Sequence, residues 1–229
     1  WVFAPGVTLR AEDSIFHVTK SILAARSTVF ESMFHFPQPA SGGDEIMDGS
    51  PIVRLDDSAV DVEAFLRAIF DSNYFMPPPA AIDFHAVLGI LRLSHKYDIG
   101  YLHKRAILHL ETVFPLDLAN YHADVPNTLG YVNGDISPEF KAIPILQAVD
   151  ASWLLPYAFY SVGTYSPDHF FRAGAAWTNM PDAVKTTCLR LGAHHWCGII
   201  RANRWFDEVS TCPSSVLCST TKLAFLRSE

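Results

Sequence analysis

The stretch that decides the fold of this 229-residue chain is Phe16-His-Val-Thr-Lys20-Ser-Ile-Leu-Ala-Ala-Arg-Ser27-Thr-Val-Phe30-Glu-Ser-Met-Phe34. Its pattern predicts a short strand, then a helix, then a second helix, with Lys20 where the strand meets the first helix. Thr28 and Glu31 fit a capping box, in which a threonine oxygen accepts the N3 amide and the glutamate reaches back to the cap amide.

The segments around this stretch predict a small sheet. Residues 7–10 alternate apolar and polar side chains, which is typical of a strand with one buried face. We expect residues 14–18 to pair with them as a hairpin. Residues 37–50 are rich in Pro, Gly, Ser and Asp, which predicts an exposed loop. The β-branched residues 52–55 should then return to the same sheet.

Two apolar stripes at helical spacing follow the sheet. Each places four apolar residues at i, i+3, i+4 and i+7, so they share one helix face and belong to the core. The stripes are Val62, Phe65, Leu66 and Ile69, and then Phe84, Val87, Leu88 and Leu91. Gly100 follows the second stripe and is predicted to be its left-handed C-cap.

Several blocks of sequence together resemble one known family. The opening stretch contains Leu23-Ala-Ala-Arg-Ser27-Thr-Val-Phe30 and Met33-Phe34, and Ser50-Pro-Ile-Val-Arg-Leu-Asp56 and Ile90-Leu-Arg-Leu-Ser-His-Lys-Tyr97-Asp follow in order. These blocks resemble BTB/POZ domains, in the variants common among fungal proteins. The resemblance implies an α+β fold, with a small three-stranded sheet packed in a helical cluster. We therefore expect a BTB/POZ-like domain over residues 1–114.

The remaining residues, 115–229, are predicted to be an all-helical C-terminal region. Prolines fall near the starts of the candidate helices, where proline is tolerated. The candidate helices are residues 140–149, 153–162, 168–178 and 183–200. Residues 142–163 are apolar and about bilayer length, but they contain Asp150 and Pro144, which favours a buried helical pair over a membrane span.

Composition excludes several classes of protein. Hydrophobic residues make up 49% of the chain and charged residues 18%, which indicates a globular protein rather than a disordered one. A formal charge of -7 argues against nucleic acid as a partner. The four cysteines fall late, the chain has no Asn-x-Ser/Thr sequon, and its first residues lack a signal-peptide pattern. We therefore expect an intracellular protein of the cytoplasm or nucleus.

No catalytic motif is present. The chain lacks Gly-x-Ser-x-Gly, a Walker loop, Gly-x-Gly-x-x-Gly, His-Glu-x-x-His and Cys-x-x-Cys, so we expect neither enzymatic activity nor a cofactor. An enzyme with an unrecognised motif remains an alternative.

A zinc-stabilised C-terminal domain is the other alternative. Its thiol and imidazole ligands would be Cys188, His194, His195, Cys197, Cys212 and Cys218. Their spacings differ from those of zinc fingers, which favours free thiols in a reducing cell and no metal site.

The family resemblance implies a protein-interaction module that acts as an adaptor or scaffold. Some members dimerise through an apolar helix face, some use a charged pocket, and others recruit a cullin-type ubiquitin ligase. Lys20 matches the basic pocket residue, but Gly6 or Pro5 stands where the family has its aspartate. A lysine without that carboxylate should be partly exposed.

We predict a partner-binding surface made by Lys20, Phe34, Phe36 and Gln38. Gln38 stands where the cullin-recruiting motif would need glutamate, so a cullin is only one of the protein partners to test. Strand exchange in a homodimer would need residues ahead of Val7, and six are present. We therefore expect a weaker or unswapped dimer, or a monomer.

Overall fold

The structure is a computed structural model in which the chain divides into two compact units, residues 1–158 and residues 159–229. It describes residues 6–35, 46–47, 50–116, 129–130 and 138–207. The division of the chain at residues 114 and 115 stays a prediction.

The first unit is built on a small sheet with the order β2-β1-β4-β3. The strands are β1 (Gly6–Ala11), β2 (Ser14–Thr19), β3 (Ile46–Met47) and β4 (Ser50–Leu55). β1 runs antiparallel to β2 and parallel to β4. The predicted three-stranded sheet is confirmed as β2-β1-β4, and the two-residue β3 extends it beside β4.

The hairpin closes through a two-residue turn. Ala11 pairs with Ser14, and Glu12 in the turn takes a left-handed φ of 50°. Val7, Leu9 and Ala11 are buried on one side of β1, as the alternation predicts, but Thr8 on the other side is buried as well. The sheet therefore presents one apolar face to the helices.

Helices complete the first unit. They are α1 (Lys20–Arg26), α2 (Thr28–His35), α3 (Ala59–Phe70), α4 (Phe84–Lys96), α5 (Gly100–Glu111) and α6 (Pro138–Ala148). Phe65 and Leu66 on α3, and Leu88 and Leu91 on α4, are all buried, so the two apolar stripes supply much of the core. Ile69, at the end of the α3 stripe, is only half-buried. A short parallel pair joins β5 (Ile82–Asp83) to β6 (Leu129–Gly130).

The α1–α2 corner is capped by Ser27. Its hydroxyl accepts the Phe30 amide at 3.0 Å and donates to the main-chain oxygen of Tyr97 at 2.5 Å. The capping box predicted at Thr28 was therefore wrong by one residue. Thr28 is the first residue of α2, and its hydroxyl donates to Asp98 Oδ2 at 2.8 Å. Both bonds fix the start of α2 to the end of α4.

The left-handed residue after α4 is Asp98, with φ of 53°. Gly100 instead begins α5, so the predicted glycine cap was wrong. Aspartate tolerates this conformation better than most residues because its short polar side chain can hydrogen-bond locally. Here the carboxylate of Asp98 also accepts the bond from Thr28.

The second unit is helical in the residues described, which agrees with the predicted helical region. α7 (Leu155–Thr164) follows a 3₁₀ turn and crosses the unit boundary; α8 (Pro167–Arg172), α9 (Ala175–Thr178) and α10 (Asp182–Asp207) come after it. The helix predicted over residues 168–178 is broken at Gly174, where φ is 53°. Pro144 lies inside α6 and not near its start.

The second unit has its own small apolar core. Its buried side chains include Val162, Met180, Val184 and Cys188. α7 and α10 approach closely at Gly163, where an added Cβ would lie 3.4 Å from Leu191 Cβ. Among the helices described, none has both the length and the hydropathy to cross a bilayer.

Ser27→Ala tests the corner. Alanine keeps the helix but removes the cap and the bond to Tyr97, so the free energy of unfolding should fall by about 1–3 kcal/mol. Chemical denaturation followed by circular dichroism measures it. Ser32→Ala is the matched control, because Ser32 is exposed on α2 and should be nearly neutral. Equal effects of the two variants would contradict the role of Ser27.

Candidate protein-interaction surface

Lys20 and Phe34, two of the four predicted partner-binding residues, are in contact. Lys20 is the first residue of α1, Phe34 lies near the end of α2, and the Lys20 ammonium sits 5.1 Å from the centre of the Phe34 ring. Phe34 also stacks on the buried Phe30, with ring centroids 5.8 Å apart. Phe36 and Gln38 lie outside the described residues, so their place on this surface stays a prediction.

Lys20 keeps its charge accessible. The residue is half-buried, as expected for a lysine without the family's carboxylate, and in the described part of the chain it has no ion-pair partner. A cation over an aromatic face gains about 0.5–1 kcal/mol at an exposed site, which holds the side chain without neutralising it. The pair can therefore offer a positive charge and an apolar ring side by side.

A hollow on the outer side of α1 continues the surface. It has a volume of about 530 Å³ and lies between α1 and the end of α3. Ile22 and Phe70 are 40% and 38% exposed there. Arg26 covers its α1 side and lies 5.4 Å from the centre of the Tyr101 ring. A smaller hollow of about 470 Å³ lies over α2 at Val29 and Met33.

A third and larger groove runs beside β2. It has a volume of about 730 Å³ and is open to solvent, with β2 on one side and α3 on the other. Its lining residues are Gly6, Ile15, Phe16, His17, Val18, Thr19, Glu63, Leu66, Arg67, Phe70 and Asp71. Phe70 also lines the α1 hollow, so the two features form one continuous surface.

Sequence reasoning missed the groove and the α1 hollow. One signal was present: Phe70 follows the stripe of α3 but lies outside its i, i+3, i+4, i+7 positions. A large apolar side chain outside the core stripe indicates either a second contact or an exposed patch.

The described ionisable groups with the clearest pKa shifts lie in the packed interior and not in the three hollows. Burial, and then the hydrogen bond to Asp57, raise the pKa of Tyr97 well above its ordinary value. Burial lowers the pKa of His109, whose Nε2–H donates to the main-chain oxygen of Met76 at 2.8 Å. None of the described groups with a shifted pKa lines the three hollows.

The residues of the zinc alternative do not converge where they are described. Cys188 is buried and Cys197 is exposed, and nine residues along a helix place them about 180° apart. Burial also raises the pKa of the Cys188 thiol to about 11, which disfavours the thiolate that zinc needs. Within the described ranges no group of three His, Cys, Asp or Glu side chains could hold a metal ion; Cys212 and Cys218 lie outside them.

The second unit carries an exposed apolar stripe of its own. Leu189, Trp196 and Ile200 recur at i, i+7 and i+11 on α10, on a different face from the buried Val184 and Cys188. Trp196 is 42% exposed, so it does not lie in the core of this unit. The stripe therefore favours a partner patch.

A sheet capped by a two-helix corner, with open apolar hollows, has the architecture of a protein-interaction module. Comparison with protein families agrees: residues 4–112 match the family model of the BTB/POZ domain. The chain therefore carries a BTB/POZ domain in its first half. Comparison with curated proteins gives no match.

Tyr97→Phe tests the buried tyrosine through pH. At pH 8 the variant should lose about 1–2 kcal/mol of unfolding free energy, because the Tyr97 hydroxyl donates to Asp57 Oδ2 at 2.7 Å. The folded-state pKa is raised, so the tyrosine's contribution is fully present below the unfolded pKa of about 10 and is lost as the pH rises above it, by up to about 1.4 kcal/mol per pH unit.

The difference in unfolding free energy between wild type and Tyr97→Phe should therefore shrink from pH 8 to pH 11. Urea unfolding at pH 8, 10 and 11 measures this difference. A difference that stays constant across the three pH values would show that Tyr97 ionises equally in both states.

Proposed function

We propose that this protein is an intracellular adaptor or scaffold of the cytoplasm or nucleus, which binds a protein partner through the Lys20–Phe34 corner. The contact between Lys20 and Phe34 is the observation that carries the proposal. A charge beside an aromatic ring suits a partner that presents a carboxylate next to an apolar side chain. The proposed surface also includes Phe36 and Gln38, which follow Phe34 in the chain.

An adaptor needs a second binding surface. The exposed stripe of Leu189, Trp196 and Ile200 on α10 supports such a role for the second unit. Isolated exposed apolar side chains are ordinary, but three along one helix face form a patch that another protein can cover. The proposed division of labour is a BTB/POZ domain over residues 1–114 and a second, helical binding region over residues 115–229.

A cullin-type ubiquitin ligase scaffold is the first partner to test. The support is the family resemblance of the α1–α2 corner, and the departure is Gln38 at the place of a glutamate. If the cullin binds, the chain is a substrate adaptor; if other proteins bind through the same corner, it is a scaffold of another assembly.

Lys20→Glu tests the proposed partner surface. Affinity capture of the full-length protein from its native cells, with quantitative mass spectrometry, should show recovery of specific partners reduced about tenfold, because the change replaces an attractive charge with a repulsive one. Lys104→Glu, which makes the same charge change on the exposed side of α5, is the matched control.

The outcome separates the parts of the proposal. A cullin among the partners lost in Lys20→Glu supports the substrate-adaptor role. Partners retained equally by both variants would contradict the Lys20–Phe34 surface.

A homodimer of this chain is the second proposed interaction. Ile22, Ala25 and Phe70 give the α1 hollow an apolar lining, and burial of an apolar helix face is how the resemblance implies that homodimers form. Each Å² of apolar surface removed from water contributes about 25 cal/mol, so a small face supports only weak association. We therefore propose a weak dimer through α1.

Ile22→Asp tests this dimer. Light scattering from about 1 to 100 μM should show the mean mass of the wild type rising with concentration and that of the variant staying at one chain, because a buried unpaired carboxylate is costly. Val60→Asp is the control, since Val60 is exposed at the start of α3, where an acid is favourable. A wild-type mass that stays at one chain, or a dimer that survives Ile22→Asp, contradicts the proposal.

A further inference from the structure

The outer edge of β2 offers unpaired backbone groups. β2 is the last strand of the sheet, and the two-residue turn makes Ala11 and Ser14 a hydrogen-bonded pair. Bonded pairs alternate along an antiparallel ladder, so the N–H and C=O groups of Ile15 and His17 point away from β1. Among the described residues, no backbone hydrogen bond reaches these groups.

This edge lacks the usual protection against pairing. Natural edge strands are commonly blunted by charged residues, proline or a bulge. β2 reads Ser-Ile-Phe-His-Val-Thr, with no lysine, acid or proline, and it pairs with β1 without a bulge. Ile15 is 42% exposed on it. The edge is therefore ready to accept another strand.

α3 makes this edge one wall of a groove. Leu66 and Phe70 face the groove as an apolar row, and Glu63, Arg67 and Asp71 form a charged row beside them. Arg67 is already engaged, 3.8 Å from Glu63 Oε1 and 4.1 Å from the centre of the Tyr74 ring. The charged row contains two carboxylates and one guanidinium, so its formal charge is negative even with Arg67 paired, which favours a ligand that carries positive charge.

The spacing of the acids fits an extended chain. Glu63 and Asp71 are eight residues apart, which is about 12 Å along a helix. A strand rises about 3.3 Å per residue, so that distance spans about four residues. Residues i and i+4 of a strand lie on the same face, which lets two basic side chains meet the two acids at once.

We propose that this groove binds one extended peptide segment of a partner protein, added as a strand to the outer edge of β2. The segment carries apolar side chains for the Leu66–Phe70 row and Lys or Arg at positions i and i+4 for Glu63 and Asp71. A second copy of this chain fits less well, because its own β2 edge carries the same flanking helix. Neither Lys20 nor Phe34 lines the groove, so either proposal can fail alone.

A phage-displayed library of random 12-residue peptides, selected on the immobilised full-length chain, tests the proposal. Selected peptides should share alternating apolar residues and two basic residues four apart. Fluorescence anisotropy with synthetic copies then measures affinity. Methylation of alternate peptide amides should weaken binding about tenfold, while methylation of the amides between them should not, because only one set of amides faces the strand.

Two variants locate the site. Ile15→Pro removes one outward N–H at an edge position where proline is tolerated, and it should bind about tenfold more weakly than Ile15→Ala, which keeps that N–H. Glu63→Lys reverses one acid on the exposed side of α3 and should weaken binding about fivefold even if Ile15→Pro fails to fold.

The contrary results are equally specific. The proposal is overturned if no peptide is enriched, or if the selected peptides bind wild type and Glu63→Lys equally. Peptides enriched only after removal of residues 1–5 would assign the groove to the chain's own first residues. Self-association abolished by Ile15→Pro would assign it to a second copy.

Discussion

The side chain and main chain of Tyr97 hold the elements of the BTB/POZ domain together. Its ring stacks on Phe30 of α2, with centroids 4.5 Å apart, and lies 5.7 Å from Phe65 of α3. Its hydroxyl donates a hydrogen bond to the Asp57 carboxylate, which also forms an ion pair with the Lys96 ammonium at 2.7 Å. Its main-chain oxygen accepts a hydrogen bond from the Ser27 hydroxyl. Burying the Asp57 carboxylate would be costly if it were not paired and hydrogen-bonded. Both of its partners, Lys96 and Tyr97, come from the end of α4. The positions of α2, α3 and α4 thus depend on one residue, and through α2 so does the Lys20–Phe34 corner.

The same cluster explains why the fold could be predicted from separated blocks of sequence. The block around Ser27 and Phe30, the block ending near Asp57 and the block containing Lys96 and Tyr97 are far apart in the chain but meet in this cluster. The strands and helices themselves follow from local periodicity, which needs no knowledge of contacts. The cap did not follow, because Ser27 and Thr28 are both competent caps and the choice depends on which hydroxyl reaches Tyr97, 70 residues away. Asp98 replaced the expected Gly100 for a similar reason, since its carboxylate is held by Thr28.

The candidate surface was less accessible to sequence reasoning. The contact of Lys20 with Phe34 depends on how two consecutive short helices fold back on each other, and periodicity reports only which face of each helix is apolar. The groove beside β2 needs two facts that no local pattern contains, namely that β2 ends the sheet and that α3 stands alongside it. By contrast, the separation of Cys188 and Cys197 follows from helical geometry alone once a continuous helix is assumed, since nine residues make two and a half turns.

The described polar groups of the first unit fall into two sets, one inside the core and one around the outer hollows. In the described part of the first unit, the ionisable groups with the clearest burial are tied to packing: Tyr97 to Asp57, and His109 to the main chain beside Phe75. The groups that line the outer hollows, Glu63, Arg67, Asp71 and Arg26, stand on helix surfaces beside apolar side chains. Such an arrangement provides shape, apolar area and a charge pattern, which set the specificity of an interface. The core has its buried charges paired, so the β2 edge and the Lys20–Phe34 corner can keep a fixed geometry before a partner binds. Little conformational entropy is then lost on binding.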